Sequence, residues 1–117
     1  MPYQALLDGL VRAVPGAQAA LLMDAEGELV VEAGDRDFRA RLIGAYQGIA
    51  LATARRTVER YAGGRIESMF CRYSAANLLL RSLRDGYYIV LSLDPQASTA
   101  VALRRVAQVG ARVEAEF

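Results

Sequence analysis

The sequence predicts an α+β protein in which helices cover both faces of a five-stranded antiparallel sheet. Apolar residues recur at helical spacing in three separate stretches, and five strand-like runs lie between those stretches. Several of the runs are apolar throughout rather than alternating, and such strands need cover on both faces of their sheet. The predicted order is α-β-β-α-β-β-β-α, and we expect residues 1–117 to form a single domain.

The first predicted elements are a helix and a hairpin. From Ala5 to Val14 the apolar residues are three and four positions apart, and Pro15-Gly16 ends this helix. Ala17–Met23 is an almost unbroken apolar run, and Glu28–Ala33 follows it after the turn Asp24-Ala25-Glu26-Gly27. Two such runs joined by a short turn predict a β-hairpin.

A long central helix, a meander and a last helix follow. The central helix begins near Phe38, where Asp35 or Asp37 can cap its free amides, and it ends at Gly63-Gly64, where glycine supplies the left-handed conformation. Turn residues separate three strand-like runs, and helical spacing returns near the end of the chain. The runs are Arg65–Tyr73, Asn77–Leu83 and Tyr87–Leu93, and the last helix covers about Ala97 to Glu116.

The composition excludes several classes of chemistry. The chain has no His, so it cannot supply an imidazole base, a Ser-His-Asp triad or a His-containing metal site. Its single cysteine, Cys71, cannot form an intramolecular disulfide or a multi-cysteine zinc site. The net charge of +1 produces no long-range field that would favour nucleic acid or an anionic membrane. We expect no catalytic residue, no metal and no cofactor.

Other motifs are incomplete. The chain has no Lys and therefore no G-x-x-x-x-G-K-[ST] loop, so it is not itself a P-loop GTPase. Asp24, Glu26 and Glu28 lack the calcium-loop pattern with its terminal Glu, and a solvated turn is the better interpretation.

Leu42–Ala54 is too short to span a bilayer, and Met1–Val14 lacks the basic region of a secretory signal. We expect a soluble, cytoplasmic protein without direct membrane insertion.

Three segments occur in a recognisable order along the chain. They are Val14-Pro15-Gly16, Leu22-Met23-Asp24-Ala25-Glu26-Gly27, and Arg84-Asp85-Gly86-Tyr87-Tyr88-Ile89-Val90 with the following Leu93-Asp94. Together with the element order, they make nearly the whole chain resemble the roadblock (dynein light chain roadblock) superfamily, and within it the bacterial MglB-like GTPase regulators.

The resemblance implies a roadblock/profilin-like fold, with the long helix on one face of the sheet and the N- and C-terminal helices on the other. It implies a homodimer that joins its edge strand and central helix to those of a second copy. Members of the family bind small Ras-like GTPases, and MglB-like members stimulate nucleotide turnover by the GTPase MglA. Other members serve as dynein light chains or in scaffolds.

Independently of the family, the central helix has two faces when residues are placed at about 100° per step. The bulky face is predicted to cover the sheet, and it carries Phe38, Leu42, Ile43, Tyr46, Ile49, Ala50 and Thr53. Because the opposite face carries Gly44 and Gly48, which each cost about 1 kcal/mol relative to Ala, we expect a partner helix to approach there. The predicted partner or dimer site on this helix comprises Ala40, Arg41, Gly44, Gln47, Gly48, Leu51, Ala52 and Arg55.

Two alternatives remain open for this helix. Gly44 and Gly48 can instead let the helix settle on its own sheet. Arg55, Arg56 and Arg60 can form a solvated helix end whose cations complement the helix dipole.

If the sheet follows the strand order that the resemblance implies, the third strand is a sheet edge. A second copy is then predicted to pair it, because a long apolar edge is an aggregation hazard when it is unpaired. Its predicted dimer residues are Glu67, Met69, Phe70 and Cys71. Within this strand, Cys71 is interpreted as a small hydrophobic residue near the seam rather than as a nucleophile.

Two functional hypotheses follow. The first is a homodimeric, non-catalytic regulator or scaffold that binds a small Ras-like, MglA-like GTPase and can stimulate its GTP hydrolysis, with an inserted Arg such as Arg55 as an additional element. The alternative is a profilin-like small-molecule sensor or scaffold domain without a GTPase partner. The fold alone does not separate them.

Overall fold

The eight elements occur in the predicted order. The computed structural model describes residues 2–35, 38–61 and 63–117, and for residues 38–40 it describes the backbone only. Asp37, one of the two predicted helix caps, lies outside these residues. The elements are α1 (Pro2–Ala13), β1 (Ala17–Met23), β2 (Leu29–Gly34), α2 (Phe38–Tyr61), β3 (Ser68–Arg72), β4 (Asn77–Ser82), β5 (Tyr88–Leu93) and α3 (Thr99–Glu114).

The five strands form one antiparallel sheet in the order β2-β1-β5-β4-β3. The central pair joins distant parts of the chain, since Met23 lies opposite Tyr88 and Ala17 opposite Leu93. Every residue of β5 is buried. The first hairpin therefore docks on the last strand of the meander, and β2 and β3 become the two edges.

One face of the sheet is covered by α1 and α3. Both helices insert large apolar side chains between the strands, including Leu7 and Leu10 from α1 and Val106 and Val113 from α3. The Ser98 hydroxyl caps α3 by accepting a hydrogen bond from the Val101 amide at 3.2 Å. This face contains the larger of the two apolar cores.

The other face is covered by α2. Its core is built mainly by the strands, whose buried residues are Leu21, Met23, Leu78, Leu80, Tyr88 and Val90. Among the described side chains of α2, Leu51 is the one large apolar residue that joins this core. The predicted fold class, with the long helix on one face and the terminal helices on the other, is confirmed.

The connections show how polar residues shape the ends of the sheet. The Asp24 carboxylate accepts the amides of Glu26 and Glu28, both at 2.9 Å, so it organises the first hairpin turn. Asp85 and Gly86 adopt positive φ angles of 60° and 80° in the turn before β5. A Cβ on Gly86 would lie 2.7 Å from the Ala25 Cβ, so the two turns touch only because residue 86 is glycine.

Two features are absent from the residues that the structure describes. None of the helices that the structure describes is both long and apolar enough to cross a membrane. In the same residues, no group of three or more Asp, Glu or Cys side chains is placed to hold a metal ion.

Candidate interaction surface

The bulky face of α2 points away from the sheet. Leu42 is 45% exposed, and Tyr46 and Ile49 are each 65% exposed. Ile43, Ala50 and Thr53 are exposed beside them. We call these six residues the outward face of α2. The prediction that this face covers the sheet is therefore wrong, and the side chain of Phe38, the seventh residue of that prediction, is not described.

The small-residue face of α2 lies on the sheet because aromatic and branched strand residues fill the space that its glycines leave. A Cβ on Gly48 would overlap the phenol of Tyr88, and a Cβ on Gly44 would lie 3.2 Å from Val90 Cγ2. The Tyr88 hydroxyl also donates to the Gly44 carbonyl at 3.3 Å. Burial raises the pKa of Tyr88, so the phenol remains a neutral donor.

Several residues of the predicted partner site are consequently engaged within the chain. Leu51 is only 1% exposed. Arg41 donates to the Glu32 carboxylate and so ties α2 to β2, and Arg55 donates to the Leu83 carbonyl at 3.4 Å. Ala52 is half-buried, and the side chain of Ala40 is not described. The exposure that a partner would require is therefore contradicted for Gly44, Gly48 and Leu51.

A polar cluster connects α2 to the edge strand. The Gln47 amide donates to the Tyr73 hydroxyl at 2.9 Å, and the Cys71 thiol donates to Gln47 Oε1 at 3.7 Å. Burial raises the pKa of the Cys71 thiol, which disfavours the reactive thiolate. Tyr73 was not singled out by the sequence analysis, although its spacing of two residues from Cys71 on a strand places both on one face.

The edge strand β3 has a strand neighbour on one side only within the described sheet, so its prediction as an edge is confirmed. Met69 and Cys71 pack against the core under α2, Phe70 on the other side of the strand is 36% exposed, and Glu67 is exposed. The opposite edge is partly covered, because the Gln4 amide donates to the Glu32 carbonyl of β2 at 2.9 Å. Pairing of β3 with a second copy remains a prediction.

This arrangement has the features of a binding surface. The outward face of α2 lies beside an open sheet edge, and the hydrogen bond between Gln47 and Tyr73 holds the two together. Large exposed apolar side chains next to an unpaired edge are the features of an interaction surface.

Comparison with solved structures identifies the fold. A Roadblock/LC7 domain from Streptomyces avermitilis superposes with a TM-score of 0.85 at 20% identity, covering 97% of this chain and 95% of that one. MglB from Myxococcus xanthus gives a TM-score of 0.87 at 15% identity, over 100% of this chain and 95% of that one.

A further MglB structure, described as having a tetrameric arrangement, gives a TM-score of 0.81 at 14% identity and covers 97% of this chain and 86% of that one. No protein-family model and no curated protein sequence matches the chain. The described chain therefore has the roadblock fold, in the form found in MglB.

Proposed function

We propose that this protein is a non-catalytic regulator or scaffold that pairs with a second copy of itself and, as a pair, binds a small Ras-like GTPase. The observation that carries the proposal is the outward face of α2. Leu42, Tyr46 and Ile49 form an apolar stripe on a helix whose other face already rests on its own sheet.

The energetics of this stripe favour a protein partner. Covering a large apolar side chain contributes about 1.5–3 kcal/mol relative to leaving it exposed. Within one copy of the chain, Tyr46 and Ile49 are 65% exposed and Leu42 is 45% exposed, so the outward face gains only part of this stabilisation. A second copy could cover it while the backbone groups of β3 pair with the same strand of that copy, since Gln47 of α2 is hydrogen-bonded to Tyr73 next to β3.

One of the solved structures with a similar fold supports the proposed self-association. One of the similar MglB structures is described as having a tetrameric arrangement. In the proposed pair, Met69, Phe70 and Cys71 lie at the seam of the two sheets, and Glu67 lies at its end. The outward face of α2 replaces Gly44, Gly48 and Leu51 as the helix interface, because those three residues are covered by the chain's own sheet.

The proposed GTPase partner rests on the resemblance to MglB-like proteins and on the second half of α2. Beyond the apolar stripe this half exposes Arg56, Arg60 and Tyr61. In a pair, two such helix ends would flank the seam and present a polar rim around an apolar centre, the usual anatomy of a protein interface. Arg55 is held at the sheet by the Leu83 carbonyl and is not proposed to insert into the partner's active site.

Self-association is tested with a matched pair of charge substitutions. Ile49→Arg places a charge in the outward face, whereas Val30→Arg places one at another exposed apolar residue, 41% exposed on β2. Sedimentation velocity should show dimers for the wild type and for Val30→Arg, and monomers for Ile49→Arg. Dimers of undiminished stability in Ile49→Arg would contradict the proposed interface.

GTPase binding is tested by capture from a native lysate on immobilised protein, in parallel with GDP and with a non-hydrolysable GTP analogue. We expect mass spectrometry to find one small GTPase retained in one nucleotide state by the wild type and depleted on Ile49→Arg. Turnover of that GTPase with and without this protein then distinguishes stimulation from scaffolding. Absence of any GTPase on folded wild-type bait would argue against the partner proposed here.

A further inference from the structure

A charged cleft lies at one end of the sheet, apart from the outward face of α2. Below the second half of α2, at the end of the sheet where β4 leaves it, the described residues enclose a cleft of about 230 Å³. We call it the arginine cleft, because four arginine residues line it. Its charged lining residues are Arg55, Arg65, Arg81 and Arg84, with Glu59, Glu67 and Glu114.

The charges are not evenly placed within the cleft. Arg55 and Arg81 are half-buried, whereas Glu59 and Glu67 are exposed at its rim. Neither Arg55 nor Arg81 forms an ion pair with any residue that the structure describes, and the side chain of Arg81 forms no hydrogen bond with these residues either. Charged groups that lose contact with water are normally paired, so these two arginines are left without an anionic partner.

The half-buried carboxylate in the cleft is already engaged. Glu114 Oε2 accepts the backbone amide of Arg84 at 2.8 Å, and the Arg84 guanidinium donates to the Glu114 carbonyl at 2.7 Å. This pair closes one wall of the cleft by fixing the turn after β4 to the end of α3. Glu114 therefore makes its hydrogen bond to that turn rather than to Arg55 or Arg81.

The position of Arg81 depends on a glycine inside α3. A Cβ on Gly110 would lie 3.4 Å from Arg81 Cγ and 3.1 Å from Leu83 Cδ2. Glycine in the interior of a helix costs about 1 kcal/mol relative to alanine. Here it leaves the space in which the side chain of Arg81 lies against α3.

We propose that the arginine cleft binds a phosphate group. Guanidinium forks match the oxygens of a phosphate and hold them through paired, charge-assisted hydrogen bonds. The volume is below the range of about 300–1,000 Å³ typical of sites for whole drug-sized ligands, so the cleft takes a phosphate or diphosphate group rather than a complete nucleotide. The near-neutral charge of the whole chain does not oppose this, since the site is local.

The test uses inorganic pyrophosphate as the probe, titrated into the full-length protein by calorimetry at constant ionic strength. We expect saturable binding that weakens about tenfold or more in Arg81→Gln, because that variant loses a charge-assisted contact. Arg65→Gln should weaken binding in the same direction, and its exposed position keeps it independent of folding. Arg104→Gln is the control, because it removes one exposed charge of α3 outside the cleft.

The outcomes distinguish binding in the arginine cleft from nonspecific attraction of an anion to positive charge. Binding that is lost in Arg81→Gln and retained within about twofold in Arg104→Gln supports the cleft. No binding by the folded wild type, or equal weakening in the cleft variants and the control, overturns it. Vesicles of phosphatidylcholine with and without phosphatidic acid then identify the source, since binding to the acidic vesicles that requires Arg81 indicates a lipid headgroup and binding of pyrophosphate alone indicates a soluble phosphate.

Discussion

The two faces of the sheet are covered in opposite ways. On one face, leucine and valine side chains of α1 and α3, such as Leu10 and Val106, pack against the strands. On the other face, α2 brings Gly44 and Gly48 to the sheet, and the strands supply the bulk through Tyr88 and Val90. The same helical geometry therefore serves two purposes, since one pair of helices builds a core and the third carries its large residues outward.

The two faces of the sheet also differ in how much stabilisation the burial of helix side chains supplies. A buried Leu or Val contributes about 1.5–3 kcal/mol by removal from water. The face under α1 and α3 collects many such contributions, whereas Leu51 is the one large apolar side chain that the described part of α2 buries. The first face therefore supplies most of the apolar stabilisation within a single copy of the chain.

The largest expected effect comes from placing the same charge on the two sides of α2. Leu51→Asp should lower the free energy of unfolding by about 4 kcal/mol or more, because it removes a core side chain and buries a carboxylate. Ile49→Asp, two residues away, should lower it by less than about 1 kcal/mol at a protein concentration low enough to separate copies. Urea denaturation measures both variants. Equal losses would refute the assignment of the two faces.

Smaller changes in the free energy of unfolding are expected when two helical glycines are replaced by alanine. Gly48→Ala should lower the free energy of unfolding by about 1–3 kcal/mol, because its methyl group would overlap the ring of Tyr88. Gly9→Ala should raise it by about 0.5–1 kcal/mol, because a Cβ there meets nothing within 4 Å and alanine favours the helix. The two variants are compared by denaturation at one protein concentration, and a stabilising Gly48→Ala would show that α2 is not seated on Tyr88.

The smallest expected effect concerns the border between α2 and β3. The pKa of Cys71 is raised by burial, so at a given pH less thiolate is present than in the unfolded chain. We expect iodoacetamide to react a few-fold more slowly with the native protein at pH 8, and the rate profile to be displaced to higher pH. The same chain in urea is the reference. A native thiol that reacts faster than this reference would show that Cys71 is activated rather than sheltered.

The element order could be predicted from local sequence, because helical spacing, the Asp24 turn and the apolar strands each act over a few residues. The edge position of β3 was implied by the resemblance to the roadblock family. The orientation of α2 could not be predicted. Periodicity defines the angle between two faces of a helix, but it does not say which one meets the sheet. The usual assumption that the bulky face is the buried one fails here, because Tyr88 and Val90 of the sheet fill the space beside Gly44 and Gly48.

One signal in the sequence did point to the observed orientation. Gly44 and Gly48 cost helix stability, and the strand that ends the meander contains Tyr88, a side chain large enough to need the space that they leave. Pairing these observations requires the register between α2 and β5, which local patterns do not contain. The arginine cleft was likewise unpredictable, because Arg55, Arg65 and Arg81 come from separate elements and meet only in the folded chain.

The strand order also bears on how the chain assembles. The β1–β2 hairpin and the meander of β3, β4 and β5 each connect neighbouring segments, so each can form through short loops within microseconds. The pairing of β1 with β5 has to close the long segment that contains α2, at a larger entropic cost. The folding rate should therefore respond most to substitutions along the seam where Leu21 meets Val90, since this seam joins two units that are otherwise local.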